Sequence, residues 1–129
     1  MKLRIKGDSL RLRLTRGEVE ELDERGAVED RVRFGPAAAL VYRVTCDHTA
    51  TALAATFARD SIEIRVPDAE ARDWCRTDRV TLENTQPIAP GETLRLVVEK
   101  DFACLAPRAG EDESDHFPHP GLGSQPDDS

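Results

Sequence analysis

Short runs in which apolar and polar residues alternate strictly, separated by tight turns, constrain this chain more than any other feature of its sequence. Residues 2–6 alternate basic with apolar side chains, residues 7–9 (Gly-Asp-Ser) have turn chemistry, and residues 10–14 alternate again. A period of two places the leucines and the isoleucine on one face and the basic residues on the other, so we predict a β-hairpin. Similar alternation predicts further strands within 28–34, 40–46, 53–57, 62–66, 80–82 and 94–98.

A first helix is predicted over residues 16–25. Thr15 and Glu18 have the spacing of a capping box, in which each residue binds the other's backbone N–H. Gly26 stands where a left-handed residue commonly ends a helix. A second helix is predicted over residues 68–76, because a proline precedes it. We expect its inward side chains to be Ala71, Trp74 and Cys75.

These elements together favour an α+β fold. Strands joined by tight turns must be antiparallel, since a parallel crossover needs a dozen or more residues. Two helices are too few for a doubly wound sheet. We therefore predict a curved antiparallel sheet, or a partly open barrel, of seven or eight short strands, with helices at about 16–25 and 68–76 closing its core. The sequence shows no internal repeat of 20–50 residues.

The chain of 129 residues suits one domain, which we place at 1–105. Residues 106–129 contain four prolines, three glycines and six acids, so we predict an acidic tail that could strap onto the domain. The net charge of −7 is uneven, because residues 1–16 carry a net +5 and residues 111–129 carry −6. This overall acidity argues against a nucleic-acid partner.

Other sequence features limit the cellular setting. No apolar run approaches the ~18 residues that a membrane span needs, and the first ten residues lack the apolar region of a signal peptide. Three cysteines at unrelated spacings do not form a disulfide framework. We expect a cytoplasmic protein that is monomeric or homodimeric and does not bind a membrane.

Three stretches carry a resemblance to known proteins. They are KLRIKGDSLRLRLT followed by EVEEL and a strand ending in FGP, the proline-started helix ending in Trp74 with Thr77-Asp78 after it, and VEKDFACL followed by EDESDHFPHP. Together they resemble a family of small uncharacterised bacterial proteins, a domain of unknown function, with a C-terminal EKDFxCL…EDExDxFPxP pattern. The resemblance implies no activity or ligand. It does imply that the acidic segment belongs to the domain.

Cysteine and histidine side chains near the C-terminus form the first candidate site. Cys104, His116 and His119, joined by Asp112 or Asp115, could bind zinc or another divalent transition metal. The spacing lacks a CxxC knuckle, so the alternative is a buried cysteine with solvent-facing histidines. We otherwise expect no cofactor.

The basic face of the first hairpin is the second candidate site. Its members are Lys2, Arg4, Lys6, Arg11 and Arg13. Like charges on neighbouring strands repel, so this face needs a compensating partner. The partner could be an adjacent acidic strand, an external anion, or the chain's own tail, with Phe117 as apolar anchor and Asp112 and Asp115 meeting arginines.

The third candidate site is Glu99-Lys100-Asp101. Alternation places Lys100 on the apolar side of its strand, where a lysine beside carboxylates can serve acid–base chemistry. A strand irregularity or a structural ion pair is the alternative. Phosphate loops, GxGxxG, HExxH, GxSxG and CxxC are all absent from the sequence. Although the function stays unknown, we expect a non-enzymatic domain that binds a protein partner; a divalent-metal protein and a small enzyme using Lys100 and Asp101 are the alternatives.

Overall fold

Two helices and eight strands occupy residues 1–102, the part of the chain that the computed structural model describes. In chain order they are β1 (Lys2–Ile5), β2 (Ser9–Leu14), α1 (Arg16–Arg25), β3 (Ala27–Gly35), β4 (Ala38–Asp47), β5 (Ala54–Ala58), β6 (Ser61–Pro67), α2 (Asp68–Arg76), β7 (Thr81–Ala89) and β8 (Glu92–Lys100). Within this range no helix is long and apolar enough to cross a membrane.

The strands form two four-stranded sheets, with orders β1-β2-β8-β7 and β3-β4-β6-β5. Each sheet consists of two antiparallel hairpins joined along a parallel central pair, β2 with β8 and β4 with β6. The α+β class with two helices is confirmed. The arrangement differs from a single antiparallel sheet, because the central pairs join strands that are distant in sequence.

The order of elements repeats within the chain. A first unit, β1-β2-α1-β3-β4, is followed by a second unit, β5-β6-α2-β7-β8, with the same succession of elements. The first sheet takes β1-β2 from the first unit and β7-β8 from the second, whereas the other sheet takes β3-β4 and β5-β6. The two units therefore exchange hairpins.

Backbone hydrogen bonds show that the units are equivalent in detail. The Val41 N–H donates to the Asp60 carbonyl, and the Arg95 N–H donates to the Asp8 carbonyl. Likewise Cys46 N–H donates to the Gly26 carbonyl, and Lys100 N–H donates to the Val80 carbonyl. Residues up to α1 correspond to residues 52 positions later, and residues from β3 onward correspond to residues 54 positions later. Only a minority of equivalent positions share a residue type, as Asp8 and Asp60 do, which is why the repeat is hard to see in the sequence.

Local sequence signals explain both helices. The Thr15 side chain accepts from the Glu18 N–H while the Glu18 carboxylate accepts from the Thr15 N–H, so the predicted capping box is present. Gly26 ends α1 with a φ of 82°, a left-handed conformation that glycine adopts without steric cost. Pro67 precedes the first turn of α2, as predicted.

The core lies between the two sheets and beneath the helices. Its largest fully buried side chains are Trp74, Leu12, Leu14, Leu22, Ile64, Leu82, Leu96, Val44, Val66 and Val98. Pseudo-equivalent positions supply matching members: Val19 and Leu22 of α1 correspond to Ala71 and Trp74 of α2. Each helix thus contributes one small and one larger apolar side chain.

Two strand boundaries differ from the prediction. The strand predicted within 80–82 is longer than expected, because β7 continues through Pro87 to Ala89 with an irregular register. Since β7 is an edge strand, the missing N–H of Pro87 is tolerated there. The strand predicted within 94–98 also extends at both ends, because β8 runs from Glu92 to Lys100.

Candidate functional site

Two crevices flank the packed helices at one end of the molecule. The larger, which we name the Lys100 crevice, lies among the first turns of α1, the end of α2 and the end of β8, and has a volume of about 540 Å³. Such a volume is within the range of small-molecule clefts. Its apolar wall includes Leu14, Val19 and Phe102, and its charged members are Arg16, Glu20, Asp78, Lys100 and Asp101.

Lys100 is held in a defined position within this crevice. Its Nζ donates a hydrogen bond to the Thr77 carbonyl at 2.8 Å and lies 5.4 Å from the centroid of the Trp74 ring. The two contacts are a charge-assisted hydrogen bond and a cation–π interaction. Asp101 follows at the crevice, with a carboxylate oxygen 3.9 Å from the Lys2 Nζ. The third candidate site is therefore concave, and its lysine stabilises the end of α2.

The smaller crevice, which we name the Cys46 crevice, has a volume of about 280 Å³. It occupies the pseudo-equivalent position, between the first turns of α2 and the end of α1. Cys46 stands where the larger crevice has Lys100, and Asp68 stands where it has Arg16. Across its mouth the Arg76 Nε donates to Asp23 Oδ1 at 3.1 Å, which joins the two helices.

Cys75 lines both crevices, so the two described thiols share one environment. Burial, and after it the nearby carboxylate of Asp23, raise the pKa of the Cys75 thiol to about 11. Burial also raises the pKa of the Cys46 thiol, with smaller contributions from nearby carboxylates. Both thiols are therefore protonated at neutral pH and are weak nucleophiles.

The basic residues of the first hairpin lie on paired strands. Register places Lys2 opposite Arg13 and Arg4 opposite Arg11. Glu99 of the adjacent strand β8 accepts from Arg11 Nη1 at 3.0 Å and from Arg13 Nε at 2.7 Å. An acidic residue on a neighbouring strand, one of the three compensating partners considered, thus neutralises part of this face. Lys6 lies beside the hairpin turn.

Other predicted site residues fall outside the described part of the chain. They are the metal candidates Cys104, His116 and His119, and the tail anchors Asp112, Asp115 and Phe117. Within residues 1–102, no group of three or more histidine, cysteine, aspartate or glutamate side chains could hold a metal ion. The metal hypothesis and the tail-docking hypothesis both stay predictions.

The end of the molecule opposite the helices, which we name the hairpin end, exposes apolar side chains. Each of the four edge strands has one large apolar residue next to its hairpin turn. They are Ile5 (58% exposed), Phe34 (72%), Phe57 (69%) and Ile88 (52%). Phe34, Phe57 and Ile88 continue the alternation that buries a residue farther along the same strand.

Side-chain amides set the arrangement of the hairpin end. Gln86 Nε2 donates to the Ala55 carbonyl at 3.0 Å, and Gln86 Oε1 accepts from the Ala55 N–H at 2.7 Å. Two residues earlier, Asn84 Nδ2 donates to the Leu53 carbonyl at 2.8 Å. These side-chain hydrogen bonds hold the edge strands β5 and β7 next to each other. Among the described residues no backbone hydrogen bond joins β5 to β7.

The fold and these surfaces define a small α+β protein built from two units with exchanged hairpins. Comparison with protein families identifies the family of this chain. It belongs to a family of unknown function, DUF7009, whose model matches residues 1–121. The predicted resemblance to an uncharacterised domain is confirmed. Searches of curated proteins and of solved structures each found no match.

Proposed function

We propose that this chain is a small protein-binding module and that the hairpin end is its binding surface. The single observation that supports this is the exposure of Ile5, Phe34, Phe57 and Ile88, one from each edge strand. Monomeric proteins rarely expose apolar patches larger than a few hundred Å², and such patches commonly bind partners. The proposed location is the cytoplasm, which suits two described cysteines that are both free thiols.

The proposed partner supplies an extended apolar segment. Phe57 and Ile88 are exposed and each lies near the hairpin turn of an edge strand. An extended segment can pair its backbone with such an edge while its apolar side chains contact the exposed residues. The neighbouring turn carries Arg59 and Asp60, one charge of each sign, so charge does not favour a strongly acidic or basic segment.

A peptide selection followed by NMR tests this function. We expect peptides selected from a random library on the purified full chain to be apolar, and to shift the amide resonances of Phe57 and Ile88. Phe57→Asp should abolish binding of these peptides. The matched control is Val80→Asp, which places the same charge at an exposed apolar residue (40% exposed) near the helices.

Two results would contradict the proposal. The first is selection of acidic peptides whose resonance shifts cluster at Arg4 and Lys6, which would make the basic face the binding surface. The second is equal loss of binding in the Phe57→Asp and Val80→Asp variants. Thermal unfolding of both variants shows whether any loss reflects unfolding.

Lys100 and Asp101 carry the alternative enzymatic function, and one observation favours it: both line a crevice of about 540 Å³. The contacts of Lys100 with Thr77 and Trp74 support a structural role instead, because they occupy its ammonium group. Protein binding is therefore the function that the geometry supports better.

A further inference from the structure

One backbone position on the edge of β5 is occupied by a side-chain amide. Gln86 Nε2 donates to the Ala55 carbonyl at 3.0 Å, and Gln86 Oε1 accepts from the Ala55 N–H at 2.7 Å. A primary amide has an N–H donor and a carbonyl acceptor in one plane, as a peptide group does. Gln86 therefore binds this edge in the way that the backbone of an added strand would.

The equivalent position on β1 has no such amide. With the offsets of 52 and 54 residues between the two units, Leu3 corresponds to Ala55, and Val32 corresponds to Gln86. A valine side chain has no donor or acceptor, so Val32 cannot bind the Leu3 backbone. Within residues 1–102, the edge of β1 therefore lacks the amide that closes the edge of β5.

A neighbouring contact shows that β3 lies next to β1, as β7 lies next to β5. Asn84 Nδ2 donates to the Leu53 carbonyl at 2.8 Å. At the equivalent positions, Asp30 Oδ2 lies 3.9 Å from the amino nitrogen of Met1. Val32 follows Asp30 by two positions and so lies on the same face of β3. The two pairs of edge strands thus share the first contact and differ at the second.

The register of the first hairpin shows which backbone groups of β1 face outward. The Lys6 N–H donates to the Ser9 carbonyl at 3.2 Å beside the turn, so these residues are a hydrogen-bonded pair. Antiparallel pairs alternate between hydrogen-bonded and non-hydrogen-bonded, so Leu3 and Ile5 point their N–H and C=O groups away from β2. β5 offers one such residue, Phe57, because the amide occupies the other. β1 thus has the longer edge for an added strand.

The side chains beside this edge favour an apolar segment. Ile5 is 58% exposed, Val32 is 43% exposed and Phe34 is 72% exposed. Lys6 and Arg33 are also exposed, and neither has an ion-pair partner among residues 1–102. Two cations of this kind repel a basic segment. The chemistry that fits the edge is therefore an apolar polypeptide without lysine or arginine.

We propose that the extended segment bound at the hairpin end pairs its backbone with β1, at Leu3 and Ile5, and covers Val32 with an apolar side chain. The inference rests on the proposed function and adds the edge that supplies the backbone hydrogen bonds. Three strand spacings, about 14 Å, separate β1 from β7. About three residues along β1 and five more across the hairpin end therefore reach Phe57 and Ile88.

Transfer of the amide from β7 to β3 tests the proposal. The probe is an apolar peptide selected on the full chain, and titration calorimetry measures its affinity. Val32→Gln copies Gln86, so its amide should occupy the Leu3 backbone and lower the affinity about 10-fold or more. The matched control is Val80→Gln, which adds the same amide at an exposed valine near the helices and should leave the affinity unchanged.

N-methylation of the peptide gives a second measurement on the native chain, so it does not depend on the folding of a variant. Each methyl group removes one peptide N–H. We expect the affinity to fall at every second residue of the part that pairs with β1, because alternate N–H groups of a strand face its neighbour.

The outcomes separate this inference from the proposed function. If Phe57→Asp abolishes binding while Val32→Gln leaves the affinity unchanged, the hairpin end binds the peptide and β1 is not the paired edge. An N-methyl scan without a period of two, or an equal loss in Val32→Gln and Val80→Gln, would also overturn the pairing with β1. Equal loss in Phe57→Asp and Val80→Asp would instead overturn the proposed function.

Discussion

The Lys100 and Cys46 crevices are built from equivalent parts of the two units, yet they differ twofold in volume. Their helices begin and end at matching positions, and the same backbone hydrogen bonds close the strands beside them. The difference arises in the connection that follows each helix. Gly26 alone links α1 to β3, whereas residues 77–80 link α2 to β7. Thr77 and Asp78 of the longer link line the larger crevice.

This comparison shows how one scaffold can hold two different sites. The single left-handed Gly26 turns the chain tightly, and the Cys46 crevice stays small. The longer link leaves a wider opening, in which Lys100 binds the Thr77 carbonyl and covers Trp74. Changes in link length and in a few side chains thus separate the crevices without altering the sheets.

Trp74 and Leu22 occupy pseudo-equivalent helix positions, and their replacement should have the largest effect. Trp74 is fully buried and its Nε1 donates to the Val80 carbonyl at 2.8 Å. We expect Trp74→Ala to lower the free energy of unfolding by about 4 kcal/mol, and Leu22→Ala to lower it by about 3 kcal/mol. Urea denaturation measures both values. A greater loss for Leu22→Ala would mean that the α1 side is the better-packed half.

The two thiols offer a chemical test of the comparison. A free cysteine has a pKa of about 8.5, so a pKa of about 11 for Cys75 leaves on the order of 100-fold less thiolate at pH 8. We expect the alkylation rate of Cys75 to rise without a plateau from pH 7 to pH 10, because its thiol stays mostly protonated over this range. Urea-denatured protein is the control. Its alkylation rate at Cys75 should level off within this pH range, because an unfolded cysteine has the free pKa of about 8.5. A plateau below pH 9.5 in the folded chain would show that Cys75 is not buried as described.

Gly26 is the residue that keeps the smaller crevice closed. A side chain at its φ of 82° is strained, so we expect Gly26→Ala to cost about 1–2 kcal/mol of stability. The matched control is Gly17→Ala, since Gly17 lies within α1 and an added Cβ there meets open space. That change should stabilise the protein by about 0.5–1 kcal/mol. Thermal unfolding measures the change in stability of both variants. If both substitutions changed stability in the same direction, Gly26 would have no special role.

Lys100 should give the smallest effect on stability. Lys100→Met removes the hydrogen bond to the Thr77 carbonyl and the contact with Trp74, and the longer link should then loosen. We expect a loss of about 1 kcal/mol. Lys6→Met, at an exposed position beside a turn, should change stability by less than about 0.5 kcal/mol. A Lys100 variant as stable as the native chain would leave this lysine free for the alternative chemistry.

The sequence predicted those features that depend on neighbouring residues. Helix α1 begins and ends where its caps indicated, and α2 begins after Pro67, because these signals act within a few positions of themselves. The alternating runs predicted which strand residues share a face, because this pattern also depends only on neighbouring residues. Pairing of β2 with β8 joins residues more than 80 positions apart, and nothing local encodes it.

The candidate sites were predictable only in part. The position of Lys100 on the apolar side of β8 followed from its place in the alternation, but Arg16 and Asp78 come from distant elements and carry no local signal. Phe34 and Phe57 follow the core phase and are nevertheless exposed, since the strands extend past the region that the helices and opposite sheet cover. Their positions next to turns on edge strands were the signal available.

The exchange of hairpins has a consequence for synthesis on the ribosome. The sheet β3-β4-β6-β5 uses one continuous stretch of chain, residues 27–67, and is complete in sequence before α2 is made. The other sheet pairs β2, at the start of the chain, with β8, near residue 100. During translation the first hairpin must therefore wait, with Leu12 and Leu14 uncovered, until nearly the whole domain has emerged.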